Sequence, residues 1–110
     1  MAEVYKILGQ SAPAATTATD VYTVGGSTSA IVSTITVCNR SSTADDTFRI
    51  AILQGGGTVA TTDYIAYDAV IGISDFLVIT LCIGLATTDQ VEVYAGTANL
   101  TFQVFGMEIT

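Results

Sequence analysis

Apolar and polar side chains alternate with a period of two through most of this chain, which predicts strands rather than helices. The pattern is strongest in residues 30–53. Within 30–39, Ile31, Ile35 and Val37 share a face with Ser33, opposite Val32, Thr34, Thr36 and Cys38. Within 47–53, Phe48, Ile50 and Ile52 share a face opposite Thr47, Arg49 and Ala51. Both stretches are rich in β-branched residues, which suit a pleated surface. The run 40–46 between them is polar and reads as a solvent loop, so 30–53 is expected to form a hairpin around which the fold is organised.

Further strands are predicted over 4–10, 21–24, 63–71, 76–83, 90–94 and 99–109. Residues 63–71 place Ile65, Tyr67, Ala69 and Ile71 on one side, and 90–94 point Val91 and Val93 inward. Residues 76–83 are apolar on both faces apart from Thr80, as in a central strand or one whose outer face a partner covers. A helix over 76–86 is the alternative for that stretch. Leu100, Phe102 and Val104 share a face, and the pattern slips at Phe105-Gly106, where a bulge is expected. Phe48, Phe76 and Phe102 read as core.

The punctuation fits this picture. Gly25-Gly26 is read as a turn using positive φ, and Gly55-Gly56-Gly57 as a loop tip. Residues 11–19, with the one proline at Pro13, form an extended connector without period; it is expected to cross the surface or reach a neighbouring subunit. Threonine-rich runs ending in Asp20, Asp63 and Asp89 each precede a strand, where Asp and Thr fix turns by bonding nearby backbone. About eight strands at a spacing of roughly 8–12 residues predict an all-β chain, a single-domain (1–110) two-sheet sandwich that is jelly-roll-like and antiparallel.

Charge narrows the classes of function. Ten acids against three bases give a net charge of −7, and Lys6, Arg40 and Arg49 are too few to neutralise a phosphate backbone. No nucleic-acid partner is expected, and an anionic membrane would repel the chain. No apolar run reaches the roughly 18 residues of a membrane span. Residues 1–6 lack a basic start followed by an apolar run, so no targeting leader is expected and folding in a cytoplasm is the default. Cys38 and Cys82 are then expected to be reduced, small and buried, with a cross-sheet disulfide as the alternative. Only 12% of the residues are charged, which suits tight subunit contact.

An enzyme reading finds little to work with. There is no histidine, hence no histidine base or ligand, and two isolated cysteines have no zinc-cluster spacing. Gly55-Gly56-Gly57 lacks the Lys-Ser/Thr sequel of a phosphate loop. Asp45-Asp46 lacks the spaced oxygens of a calcium loop, and Asp63 with Asp68 is a weak candidate for a glycosidase pair. No residue is assigned a catalytic, cofactor or metal role. Tyr5, Tyr22, Tyr64, Tyr67 and Tyr94 are candidates for a carbohydrate or protein contact surface, weighed against five tyrosines at sheet margins. Arg40 and Arg49 are scarce cations expected to form an intrachain ion pair or to be plainly solvated, with pairing to a carboxylate across an interface as the alternative. The candidate contact elements are residues 11–19, 40–46 and 55–62.

Three stretches carry a resemblance. They are Tyr5-Lys6-Ile7-Leu8-Gly9-Gln10-Ser11-Ala12-Pro13-Ala14-Ala15-Thr16-Thr17, Val32-Ser33-Thr34-Ile35-Thr36-Val37-Cys38-Asn39-Arg40, and Tyr94-Ala95-Gly96-Thr97-Ala98-Asn99-Leu100-Thr101-Phe102. With Phe105-Gly106-Met107-Glu108-Ile109-Thr110, they make the chain resemble small virion structural proteins of tailed bacteriophages, cyanophages among them. Related sequences tend to carry Pro-Ala-Gly where this chain has Gly25-Gly26-Ser27. The resemblance implies a non-enzymatic protein of the virion, assembled in the host cytoplasm. It does not fix the place in the particle; the first expectation is a capsid decoration or cement protein partnered with the major capsid protein or other virion proteins, as a homo-oligomer (trimer or dimer). The alternatives are a tail, neck, baseplate or fibre component, or a carbohydrate-binding adsorption module.

Overall fold

The computed structural model describes residues 2–110. Eight strands run β1 (Glu3–Ser11), β2 (Thr19–Thr23), β3 (Ser29–Asn39), β4 (Asp46–Leu53), β5 (Tyr64–Ile71), β6 (Phe76–Leu85), β7 (Gln90–Ala95) and β8 (Leu100–Ile109). The only helical piece among the described residues is a short 3-10 turn, Thr61–Asp63. The strands form two four-stranded antiparallel sheets. The front sheet is ordered β1-β8-β3-β6 and the back sheet β2-β7-β4-β5. That order is a jelly roll, in which the chain crosses repeatedly from one sheet to the other.

The expected hairpin over 30–53 does not form. β3 lies in the front sheet beside β8 and β6, and β4 in the back sheet beside β7 and β5. Each strand carries an apolar face, and facing one another across the sandwich buries both. The loop between β3 and β4 is long enough to cross the roughly 10 Å between packed sheets. The core is the meeting of those two inner faces. Ile35, Val37, Phe102 and Val104 from the front oppose Phe48, Ile50, Val91 and Val93 from the back, all at most 2% exposed. Phe48 and Phe102 bridge the sheets edge to face, 6.2 Å apart.

Irregularities decide which side chains reach that core. An extra residue at Ser33 shifts the phase of β3, so Val32 turns inward with Ile35 and Val37, and Ile31 turns out. In β5, two residues, Tyr67 and Asp68, oppose the single Arg49, with Asp68 at φ 50. This bulge turns Ala66, Ala69 and Ile71 toward the core and leaves Ile65, Tyr67 and Val70 outside. β8 itself keeps its register. The slip expected at Phe105-Gly106 sits instead in the neighbours, at Leu8 of β1 and Ser33 of β3. The positive φ expected of Gly25-Gly26 falls on Ser27, whereas Gly55, Gly56 and Gly57 all adopt it.

β6 is an edge strand, not a central one. It buries Leu85, half-buries Leu77, Ile79, Leu81 and Ile83, and leaves Phe76 and Val78 67% and 57% exposed. Phe76 is therefore not core. Residues 12–18 carry the chain from the front sheet to the back one. Their anchors are internal: Pro13 is buried, and the Thr16 amide donates to the Ala95 carbonyl at 2.8 Å.

The aspartate turns repeat at two of the three sites. In Ala60–Asp63 and Ala86–Asp89 the aspartate amide donates to the alanine carbonyl (3.0 and 3.1 Å), and the alanine amide donates back to Oδ2 (2.8 and 2.9 Å). Asp20 instead lies within β2.

Candidate functional site

The two outer faces of the sandwich are unlike. On the front sheet, strand register sets Tyr5 and Ile7 beside Met107 and Phe105, then Ile31 and Thr34, which lie opposite Gly84 and Thr80 of β6; Val78 and Phe76 lie farther along β6, opposite Thr36 and Cys38. Tyr5, Ile7, Phe76 and Val78 are each more than half exposed. Glu3, at the rim, is the one carboxylate the register places on this face. Two of its polar side chains are paired within the face. The Tyr5 hydroxyl bonds Ser33 Oγ, and Ser33 Oγ donates to the Phe105 carbonyl at 3.2 Å. Cys38 and Cys82 also stand exposed here, correcting the expectation of buried thiols. Cys38 lies opposite Phe76, six residues along β6 from Cys82 and so roughly 20 Å away, which rules out a disulfide between them.

The back sheet's outer face is charged and aromatic. Adjacent strands β5, β4 and β7 bring Tyr67, Arg49 and Tyr94 side by side. The Arg49 guanidinium lies 4.2 Å from the Tyr67 ring centroid and 4.3 Å from that of Tyr94. Arg49 Nε also meets Asp68 Oδ1 at 2.7 Å, and this carboxylate raises the arginine pKa further. Tyr64 packs edge-on against Tyr67, with ring centroids 4.8 Å apart. Beside them the loop before β5 closes a cleft of about 410 Å³ lined by Val59, Ala60, Thr61, Tyr64 and Tyr67.

Of the five tyrosines, three therefore meet. Tyr5 sits on the opposite face, and Tyr22 points into the sandwich, where its hydroxyl donates to Glu108 Oε2 at 2.6 Å. Burial foremost, and Glu108 next, push the Tyr22 phenol well above its ordinary range. Glu108 is also paired with Lys6 at 2.7 Å; Lys6 first and Tyr22 second hold its carboxyl below the usual value.

The other candidates have structural partners. Asp63 ties the turn at Ala60, and Asp68 is committed to Arg49, so the two do not form an open carboxylate pair. Asp45 accepts from the Ile73 amide at 3.1 Å, whereas buried Asp46 accepts from the Thr47 amide and the Thr97 hydroxyl. Arg40 donates to the Ala98 carbonyl at 2.6 Å and to Thr101 Oγ1 at 3.0 Å. The loops 40–46 and 55–62 lie at different parts of the fold. Only the second borders the aromatic cleft. Missed altogether was Asn39, 2% exposed, whose side chain spans the 40–46 loop and the turn at Gly72. A lone polar residue ending an apolar strand was the signal for it.

Asp20 and Glu92 are direct partners across β2 and β7. Burial, with Asp20 adding to it, raises the Glu92 pKa. A carboxyl raised on folding costs stability above its folded-state pKa, and the cost vanishes below the unfolded value near ~4.3. Glu92→Gln is therefore expected to stabilise the protein by about 0.5 kcal/mol at pH 7, the scale of opposed like charges in a sheet. Urea unfolding at pH 7 and pH 3.5 checks this, with the gain expected only at the higher pH.

Comparison of the chain with protein-family models, curated proteins and solved structures finds no match.

Proposed function

We propose that this chain is a non-enzymatic structural protein of a tailed-phage virion, a decoration or cement protein that stabilises contacts between shell subunits. The observation that carries the proposal is the outer face of the front sheet, where exposed Tyr5 and Ile7 adjoin half-buried Ile31, Phe105 and Met107 at one end, exposed Phe76 and Val78 form a second apolar patch at the other, and a single carboxylate stands at the rim. Exposed apolar patches of this kind mark protein contact. Four strands about 4.8 Å apart and roughly 30 Å long offer a flat face of roughly 600 Å², somewhat below the ~800 Å² that each partner buries in a standard-size complex. The sequence resemblance supports placing that contact on a phage particle. The partner is then the major capsid protein, and copies sit as dimers or trimers at symmetry axes. Repetition by symmetry turns modest contacts into avidity, and binding to the assembled shell alone stabilises it by mass action.

Quantitative mass spectrometry of purified virions tests the assignment. Hundreds of copies per particle are expected. A handful would move the chain to the tail, and its absence would end the proposal. Phe76→Asp combined with Val78→Asp should lower particle occupancy at least about tenfold, since each introduces a charge that the contact would have to desolvate. Both side chains are more than half exposed, so the free protein's melting temperature should be nearly unchanged.

A further inference from the structure

We infer that the cleft between Thr61 and Tyr67 on the back sheet is a binding site for a neutral sugar residue. This goes beyond the virion proposal and rests on different residues. The cleft, about 410 Å³, falls within the range of small-ligand sites, roughly 300–1,000 Å³. A pyranose presents a flat C–H-rich face and a rim of hydroxyls. The lining answers both: Tyr64 and Tyr67, their rings at 82° to each other, supply aromatic surface, and Thr61 and the two tyrosines carry hydroxyls. Aromatic faces carry partial negative charge and attract polarised C–H groups.

A second observation points the same way. The β5 bulge sets Tyr67 and Asp68 together against Arg49, so the ring and the carboxylate are held by one guanidinium at 4.2 Å and 2.7 Å. Bulges characteristically re-aim side chains at functional positions. Tyr67 is nonetheless 59% exposed, so it is a clamped ring presented to solvent rather than a packed one. Pre-organisation of this kind reduces the ordering cost of binding.

Charge selects the ligand class. Asp20, Asp63, Asp68 and Glu92 lie on this side of the molecule against the one cation Arg49, so phosphates, uronates and sialic acids are repelled. The cation position between Tyr67 and Tyr94 is already filled by Arg49 itself. A neutral polyol with an apolar face is the chemistry left.

The test is a titration of the full chain, followed by amide chemical shifts, with neutral oligosaccharides of glucose, galactose, mannose and N-acetylglucosamine. A sialylated oligosaccharide and tetramethylammonium serve as the anionic and cationic arms. At least one neutral oligosaccharide is expected to bind, with shifts centred on residues 59–67. Tyr67→Ala should weaken binding about tenfold or more, the scale of one aromatic contact, while Tyr67→Phe keeps it within about threefold. Tyr5→Ala, on the other face, should leave it unchanged. Binding of no neutral oligosaccharide at millimolar concentration overturns the inference. So does binding of only the sialylated sugar or tetramethylammonium, or unaltered affinity in Tyr67→Ala. None of these outcomes bears on virion occupancy, so the two proposals fail separately.

Discussion

Gly106→Ala is expected to lower stability by about 3 kcal/mol and the melting temperature by on the order of 10 °C. Gly106 lies in β8, between β1 and β3. A Cβ there would stand 2.0 Å from the Ile31 carbonyl oxygen and 3.0 Å from Leu8 Cδ1. The oxygen is backbone, fixed in the ladder beside the Ser33 bulge, and cannot swing away as a side chain would. Relief requires moving β3 or β8, and those strands carry Ile35, Val37, Phe102 and Val104 at the centre of the core. Gly84→Ala is the matched control. It sits in an edge strand with nothing within 4 Å of the added Cβ, and no change beyond about 0.5 kcal/mol is expected. Urea unfolding of both variants decides the matter; equal stability would show that close backbone approach is not what keeps residue 106 a glycine.

A second large effect is expected at Asn39. Its Nδ2 donates to the Ala44 carbonyl at 3.1 Å and the Gly72 carbonyl at 3.0 Å, and its Oδ1 accepts from the Ser41 amide at 3.0 Å. One buried amide thus satisfies three backbone groups at the end of the sandwich where β3 leaves for the other sheet. The Asn39 amide itself donates to Asp75 at 2.9 Å, and the Ser74 amide to Ser41 at 2.9 Å, so both loops hang from this point. Asn39→Leu keeps the branched outline, though it is bulkier, and strands the three partners. Each stranded group costs about 1–3 kcal/mol when water cannot reach it, and partial access at the loop brings the expected total to about 3 kcal/mol. Hydrogen exchange should show the Ser74 amide losing protection in Asn39→Leu before the amides of β7 and β8 do. Equal protection at all three would mean that the loops are held by something else.

These two residues also show where the sequence could be read and where it could not. Strict alternation in 90–94 and 100–104 located Val91, Val93, Leu100, Phe102 and Val104 in the core, because nothing interrupts the period there. The repeated Ala-Thr-Thr-Asp strings located two reciprocal turns, because that chemistry is local. The side-chain assignments failed at bulges. One added residue at Ser33, or the pair Tyr67-Asp68, reverses every later side chain in the strand, and no residue type announces it. The hairpin reading of 30–53 failed for a different reason. A strand's apolar face says that it must be covered, and says nothing of whether the cover is its neighbour in sequence or a strand of the opposite sheet. The same limit hid the aromatic site. Tyr64, Tyr67, Arg49 and Tyr94 were each visible, but only the order β5-β4-β7 makes them one cluster. In sequence Phe76 reads as core and 76–83 as a central strand or one that a partner covers; Phe76 and Val78 instead stand exposed on an edge strand, because an apolar pattern does not say where in the sheet a strand lies.

The unequal sides of the sandwich have a consequence for anything coated with it. The carboxylates Asp20, Glu92 and Asp68 lie to one side, and the register places only Glu3, at the rim, on the opposite face. A surface tiled front sheet down would wear a fixed anionic skin. Two such surfaces repel over a range that shrinks from ~30 Å in 0.01 M salt to ~3 Å at 1 M. Dispersed particles should therefore begin to clump as salt is raised, with no change in the coat itself.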